Sequence, residues 1–164
     1  SKAIKNISDD PELIYAEVLL LDPFSDRDKL DRTLKQLLLI EPNSPTYLNA
    51  YAYTLALQNR RLDEARQYAE LALEYAPEQA SILDTLGYIA FLQNDYAAAA
   101  TSLGKAYTLS NNVNIGIRFA KALYMQGNLT EFSEVLQQLK EKNANDPQLK
   151  QLDALILPTV TKKS

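Results

Sequence analysis

Three pairs of carboxylates stand close together along the chain: Asp9 with Asp10, Asp26 with Asp28, and Glu131 with Glu134. Paired acids can divide the roles of general acid and general base when their surroundings push their pKa values apart. No recessed nucleophile or metal partner is evident beside these pairs, and the composition withholds most candidates. The 164 residues contain no histidine and no cysteine, which removes the commonest general base, the thiolate nucleophile and the thiolate metal ligands together. Each pair also falls at the start of an expected helix, where unpaired backbone N–H groups favour negative charge. No enzyme activity, cofactor or metal is expected.

The remaining composition narrows the class. A chain of this length with 46% hydrophobic residues can bury a core without staples. Seventeen basic against 21 acidic residues leave a net charge of -4, and the local basic pairs, Arg60-Arg61 and Lys162-Lys163, are short. Neutralising phosphates takes a concentrated basic surface, so no nucleic-acid partner is expected. Leu37-Leu38-Leu39-Ile40 and the alanine tract Ala97 to Ala100 fall far short of a membrane span, so the chain is expected to be soluble. It starts at Ser1 and shows no charged-then-apolar leader pattern, which suggests a piece of a longer protein.

The elements that would position any site follow from spacing. Pro42 and Pro77 lie 35 residues apart and Pro147 a further 70 on, with Asn111-Asn112 in the skipped place. Between them the apolar residues recur at helical intervals. Leu48, Tyr51, Ala52 and Leu55 form one stripe, and after Asn59-Arg60-Arg61 a second runs through Leu62, Ala65, Ala69, Ala72 and Ala76. The pattern returns as Leu83, Leu86, Gly87 and Ala90, then Tyr96, Ala99, Leu103 and Ala106, and again as Phe119, Ala120 and Leu123, then Leu129, Phe132, Leu136 and Leu139. Asp10-Pro11, Ser44-Pro45 and Asp146-Pro147 each set a capping oxygen before a proline suited to the first turn, and Asn128 with Glu131 reads as a capping box. That cap accounts for Asn128-Leu129-Thr130, which also fits a glycosylation sequon. The spacing predicts helices over roughly 11–21, 26–40, 44–58, 62–76, 79–93, 96–109, 113–126, 129–142 and 146–157.

These residues resemble the tetratricopeptide repeat, a unit of about 34 residues. In that family a large-small pair in the first helix, small residues early and late in the second, and a closing proline recur. Tyr51-Ala52, Ala65, Ala72 and Pro77 match, as do Leu86-Gly87, Ala99 and Ala106. Phe119-Ala120 begins a third unit that has Phe132 and Leu139 where small residues belong, so its helices should sit further apart. Tyr15-Ala16, Leu19, Leu30, Leu34, Leu37 and Pro42 suggest an upstream unit with an enlarged turn, Asp22 to Asp26. The resemblance implies an all-α fold, a right-handed α-α superhelix of about four helix-turn-helix repeats with a C-terminal capping helix. A single domain over 9–157 is expected, with repeats at 9–44, 45–79, 80–112 and 113–145, a capping helix at 146–157 and a disordered tail at 158–164. A narrower similarity, to the last repeats of long bacterial adaptors, would place it in the cytoplasm or the periplasm.

In this family the first helices line a concave binding face. With Ala52, Gly87 and Ala120 as equivalent seam positions, that face would carry Asn49, Tyr53, Asp84, Tyr88, Phe91, Arg118, Lys121 and Tyr124. Aromatics there supply contact area at low entropic cost, and the polar set can bond a peptide or a short helix. The same tyrosines could instead simply pack between repeats. The family's carboxylate clamp is approximated only by Asn114 and Arg118, so a chaperone-tail ligand is not expected. The resemblance therefore implies a non-catalytic adaptor for a protein or peptide. The alternative is a structural module, self-associating or stacked on upstream repeats, for which Leu13, Ile14, Leu20 and Leu21 on the first helix speak.

Overall fold

The computed structural model describes residues 9–161, with side chains through Leu155. Among the described residues there are nine α-helices and no strand. They are α1 (Pro11–Val18), α2 (Arg27–Ile40), α3 (Pro45–Leu57), α4 (Leu62–Tyr75), α5 (Ala80–Leu92), α6 (Tyr96–Ser110), α7 (Val113–Gln126), α8 (Leu129–Lys142) and α9 (Pro147–Thr161). The chain divides into two compact units between Glu78 and Gln79, so α1 to α4 form one and α5 to α9 the other. Of the expected tail, 158–161 fall within α9 and 162–164 lie outside the described residues.

Polar side chains start the helices where the sequence placed them. Asp10 Oδ1 accepts from the Glu12 N–H at 3.0 Å, Ser44 Oγ from Tyr47 at 3.3 Å, and Asp146 Oδ1 from Gln148 at 2.8 Å. Asn112 and Asn128 do the same for α7 and α8. Each such cap stabilises its helix by about 1 kcal/mol. In the capping box, Glu131 returns to the Asn128 side-chain amide, at 3.0 Å. Asn59, Arg61, Asn94 and Asn111 reverse the chain with φ between 47° and 62°, and Gly127 with φ 86°. One carboxylate of each pair serves these starts and turns: Asp10 and Glu131 at caps, Asp26 by accepting the Asp22 N–H at 2.9 Å in the enlarged turn.

In the first unit, small residues let α3 and α4 meet closely. Ala52, Ala65, Ala69 and Ala72 are all fully buried, with the Tyr51 ring 4.9 Å from Tyr68. The enlarged turn is tied back by Gln58 Nε2, which donates to the Pro23 carbonyl at 2.6 Å. The first helix departs from the expected register. Ile14 and Val18 face the core, whereas Ala16 and Leu19 are exposed. The helix ends at Val18, short of the expected residue 21, so Leu19 to Leu21 belong to the turn that follows.

In the second unit the glycines mark the crossings. A Cβ at Gly87 would lie 2.5 Å from Leu103 Cγ, which confirms a close α5–α6 approach there. Phe132 and Leu139 are buried in α8, and α8 meets α7 more sparsely than α6 meets α5. The bulk of Leu139 is accommodated from the other side, because a Cβ at Gly116 of α7 would lie 2.6 Å from Leu139 Cδ2. The small partner has moved from the second helix to the first. Leu149 and Leu152 of α9 are buried against the end of this unit.

Candidate partner-binding site

On α5, Asp84, Tyr88 and Phe91 follow at intervals of four and three, which places them along one helical face. Arg118 and Lys121 do the same on α7. Because Gly87 admits Leu103 of α6 beneath them, these faces enclose a pocket of about 180 Å³ lined by Tyr88, Phe91, Leu103, Arg118 and Lys121. Its walls are mainly apolar, with two cationic side chains on the α7 side.

The two cations are held differently. Arg118 donates from Nη1 to Asp84 Oδ2 in a tight ion pair, and its guanidinium lies 6.0 Å from the centre of the Tyr88 ring. A planar guanidinium suits both contacts at once. Asp84 Oδ1, by contrast, is buried without a hydrogen bond, an arrangement that costs on the order of 1–3 kcal/mol. Lys121 is exposed at the rim. Phe91 is braced from behind by Tyr96 in an edge-to-face contact at 5.2 Å.

Of the eight positions read from the sequence, Tyr88, Phe91, Arg118 and Lys121 come together in this pocket, and Asp84 joins them through Arg118. Tyr124 does not line it, and its ring packs on Phe132 at 5.4 Å. Asn49 and Tyr53 lie on α3 in the other unit. Tyr53 is exposed, and Asn49, at the position equivalent to Asp84, likewise buries Oδ1 without a hydrogen bond. Leu103 escaped the sequence reading because its spacing marks it only as core.

Sequence reasoning also missed a polar cluster in the first unit. Tyr51 Oη donates to Asp31 Oδ1 at 2.7 Å, and Arg61 Nη2 donates to the same oxygen at 2.6 Å and to Tyr51 Oη at 2.9 Å. Lys35 Nζ lies 3.0 Å from Asp31 Oδ2. Burial works to raise the Asp31 pKa, but the hydrogen bonds from Tyr51, Lys35 and Arg61 together outweigh it and hold the carboxyl at about 2. Burial and the bond to Asp31 push the Tyr51 phenol upward, so it stays a donor. These groups brace α2 against α3 and α4. Among the described residues no group of three metal-ligating side chains converges, and no helix is long and apolar enough to cross a membrane.

Comparison with known proteins agrees with this architecture. Residues 90–156 match the tetratricopeptide repeat family. Over 105 residues, 64% of its length, the chain is 30% identical to a TPR repeat-containing protein of Pseudomonas aeruginosa, and it spans only 18% of that protein. A thermophilic TPR protein of Thermus thermophilus superposes with a TM-score of 0.74 at 20% identity, covering 95% of this chain and 86% of that one. YrrB, described as a TPR protein with an unusual peptide-binding site, gives a TM-score of 0.69 at 21% identity, covering 87% and 74%. The sequence match over residues 90–156 and the shared fold together make the chain similar to tetratricopeptide-repeat proteins.

Proposed function

We propose that this chain is a non-catalytic interaction module that receives a segment of a partner protein in the pocket between α5, α6 and α7. The observation that carries the reading is the convergence of Tyr88, Phe91, Leu103, Arg118 and Lys121 around about 180 Å³ of open, largely apolar space. Concave apolar sites with a few placed polar groups are the usual form of a ligand site, and buried aromatics with arginine dominate binding energies at interfaces. The fold is one used for holding proteins, and YrrB, which shares it, is described by a peptide-binding site. Asn49 and Tyr53 on α3 are proposed as a separate contact, and Tyr124 as a marginal one.

A photo-crosslinking residue at Lys121, introduced in the cells that make the protein, tests this. An adduct with a defined partner is expected there, competed away by excess unmodified chain and absent from the same residue placed at Leu109. Equal labelling from both positions, or labelling from Leu109 alone, would move the site elsewhere.

A second reading has its own observation. Leu13, Leu19 and Leu20 are 60%, 68% and 86% exposed at the first helix and its turn, a concentration of apolar surface that suits packing on another helical hairpin or a second copy. Light scattering that finds a strict monomer across a wide concentration range would remove the second-copy version.

A further inference from the structure

We infer that the partner segment is acidic and internal to its chain: one bulky apolar side chain enters the α5–α6–α7 pocket while a neighbouring side-chain carboxylate meets Lys121. The inference rests on the functional reading above and adds the chemistry of the occupant.

Size sets the first requirement. An apolar cavity of about 150 Å³ accommodates a benzene ring, so a pocket of about 180 Å³ lined by Tyr88, Phe91 and Leu103 has room for one aromatic or branched aliphatic side chain. The Tyr88 and Phe91 rings offer faces and edges against which such a group packs well. A polar side chain placed there would lose its water against largely apolar walls.

Charge sets the second. Arg118 lines the pocket, but its guanidinium is engaged by Asp84 and lies over Tyr88, so drawing it away would strip the counter-ion from a carboxylate whose other oxygen is already buried. Lys121 sits at the exposed rim with a flexible stem and a compact charge. The side chain free to meet an incoming anion without dismantling the pocket is therefore this one. A single rim ammonium suits the monodentate contact of an aspartate or glutamate. A chain-terminal carboxylate held by several converging donors would require Arg118 to change partners.

Four N-acetylated pentapeptides titrated into the isotopically labelled chain, followed by the NMR signals of Tyr88, Phe91 and Lys121, test this. The probes are Ser-Glu-Phe-Glu-Ser amide, its Lys-for-Glu and Ala-for-Phe counterparts, and Ser-Gly-Ser-Gly-Phe with a free carboxylate. The Glu-Phe-Glu peptide is expected to shift the pocket signals. Alanine for phenylalanine should weaken binding about tenfold or more, and lysine for glutamate about two- to fivefold, with that preference falling as salt rises. In Lys121→Gln the preference for glutamate over lysine should disappear while the preference for phenylalanine over alanine remains. If the Glu and Lys peptides bind the pocket equally, the acidic chemistry is wrong and the pocket reading stands. Tighter binding by the free-carboxylate peptide would overturn the internal-segment assignment. If no peptide moves the pocket signals, the functional reading fails together with this one.

Discussion

Gly87 faces Leu103 across the α5–α6 crossing so closely that a methyl group at residue 87 would lie 2.5 Å from Leu103 Cγ and 2.9 Å from Cδ2. The contact links fold to site, because Leu103 is also a wall of the candidate pocket. A mid-helix glycine sacrifices about 1 kcal/mol against alanine, yet here the alanine should not recover it. Gly87→Ala is expected to destabilise the chain by about 1 kcal/mol and Gly87→Leu by about 1–3 kcal/mol, since the helices must part. Urea midpoints would show this, and an unchanged midpoint for Gly87→Leu would contradict the crossing. By displacing Leu103, even the alanine should weaken any ligand of the pocket.

Acid stability should report the Asp31 cluster. The folded carboxyl titrates at about 2, below the value of about 3.9 for an unfolded aspartate. A depressed folded pKa gives stability that is fully present above the unfolded value and is lost as pH falls through the folded one. The window is thus about pH 4 to pH 2. With some allowance for screening at its partly open edge, the contribution at neutral pH is about 1–2 kcal/mol. Denaturation curves at a series of pH values should find Asp31→Asn less stable than the parent at pH 6, with the difference shrinking across that window. A difference that stays constant down to pH 2 would mean that the loss comes from packing instead of charge.

These two cases mark what a linear sequence does and does not display. Gly87, Ala52 and Ala99 stand at fixed offsets in a repeating stripe, so periodicity shows the helices and the resemblance to the repeat implies the crossing, and Pro11, Pro45 and Pro147 with their capping oxygens locate helix starts. Asp31, Tyr51 and Arg61 are joined across separations of 20 and 30 residues by side-chain geometry that no period encodes. The α1 register failed for a related reason. The apolar stripe that includes the expected Ala16 and Leu19 also takes in Leu13 and Leu20, Ile14 with Val18 form another, and the enlarged turn breaks the spacing that would have chosen between them. At the site, residues on the exposed faces of α5 and α7 were legible from repeat position, whereas Leu103 and the commitment of Arg118 to Asp84 required the packed structure.

The Arg118–Asp84 pair should be asymmetric under mutation. Asp84 is largely enclosed and Arg118 is more than a third exposed. Removing the arginine strands a carboxylate in poor solvent, whereas removing the carboxylate leaves a cation that still reaches water and still lies over Tyr88. Arg118→Gln is therefore expected to destabilise more than Asp84→Asn, with a coupling energy of about 1–2 kcal/mol in the double-mutant cycle. Equal losses with no coupling would show that the pair adds nothing beyond its separate contacts.

Leu20 tests whether the exposed apolar residues of the first hairpin belong to an interface or merely to a surface. The side chain is 86% exposed, so Leu20→Gln removes almost no buried area, and stability should stay within about 0.5 kcal/mol of the parent. Leu13→Gln should behave alike at 60% exposure. Ile14→Ala, one residue away but facing the core at 4% exposure, should cost about 2–4 kcal/mol. If the exposed face packs on a second copy, the Leu13 and Leu20 variants should lose concentration-dependent association in analytical ultracentrifugation while keeping the same unfolding midpoint as the dilute parent. A large fall in that midpoint for Leu20→Gln would instead place Leu20 inside the unit and overturn the two-stripe account of α1.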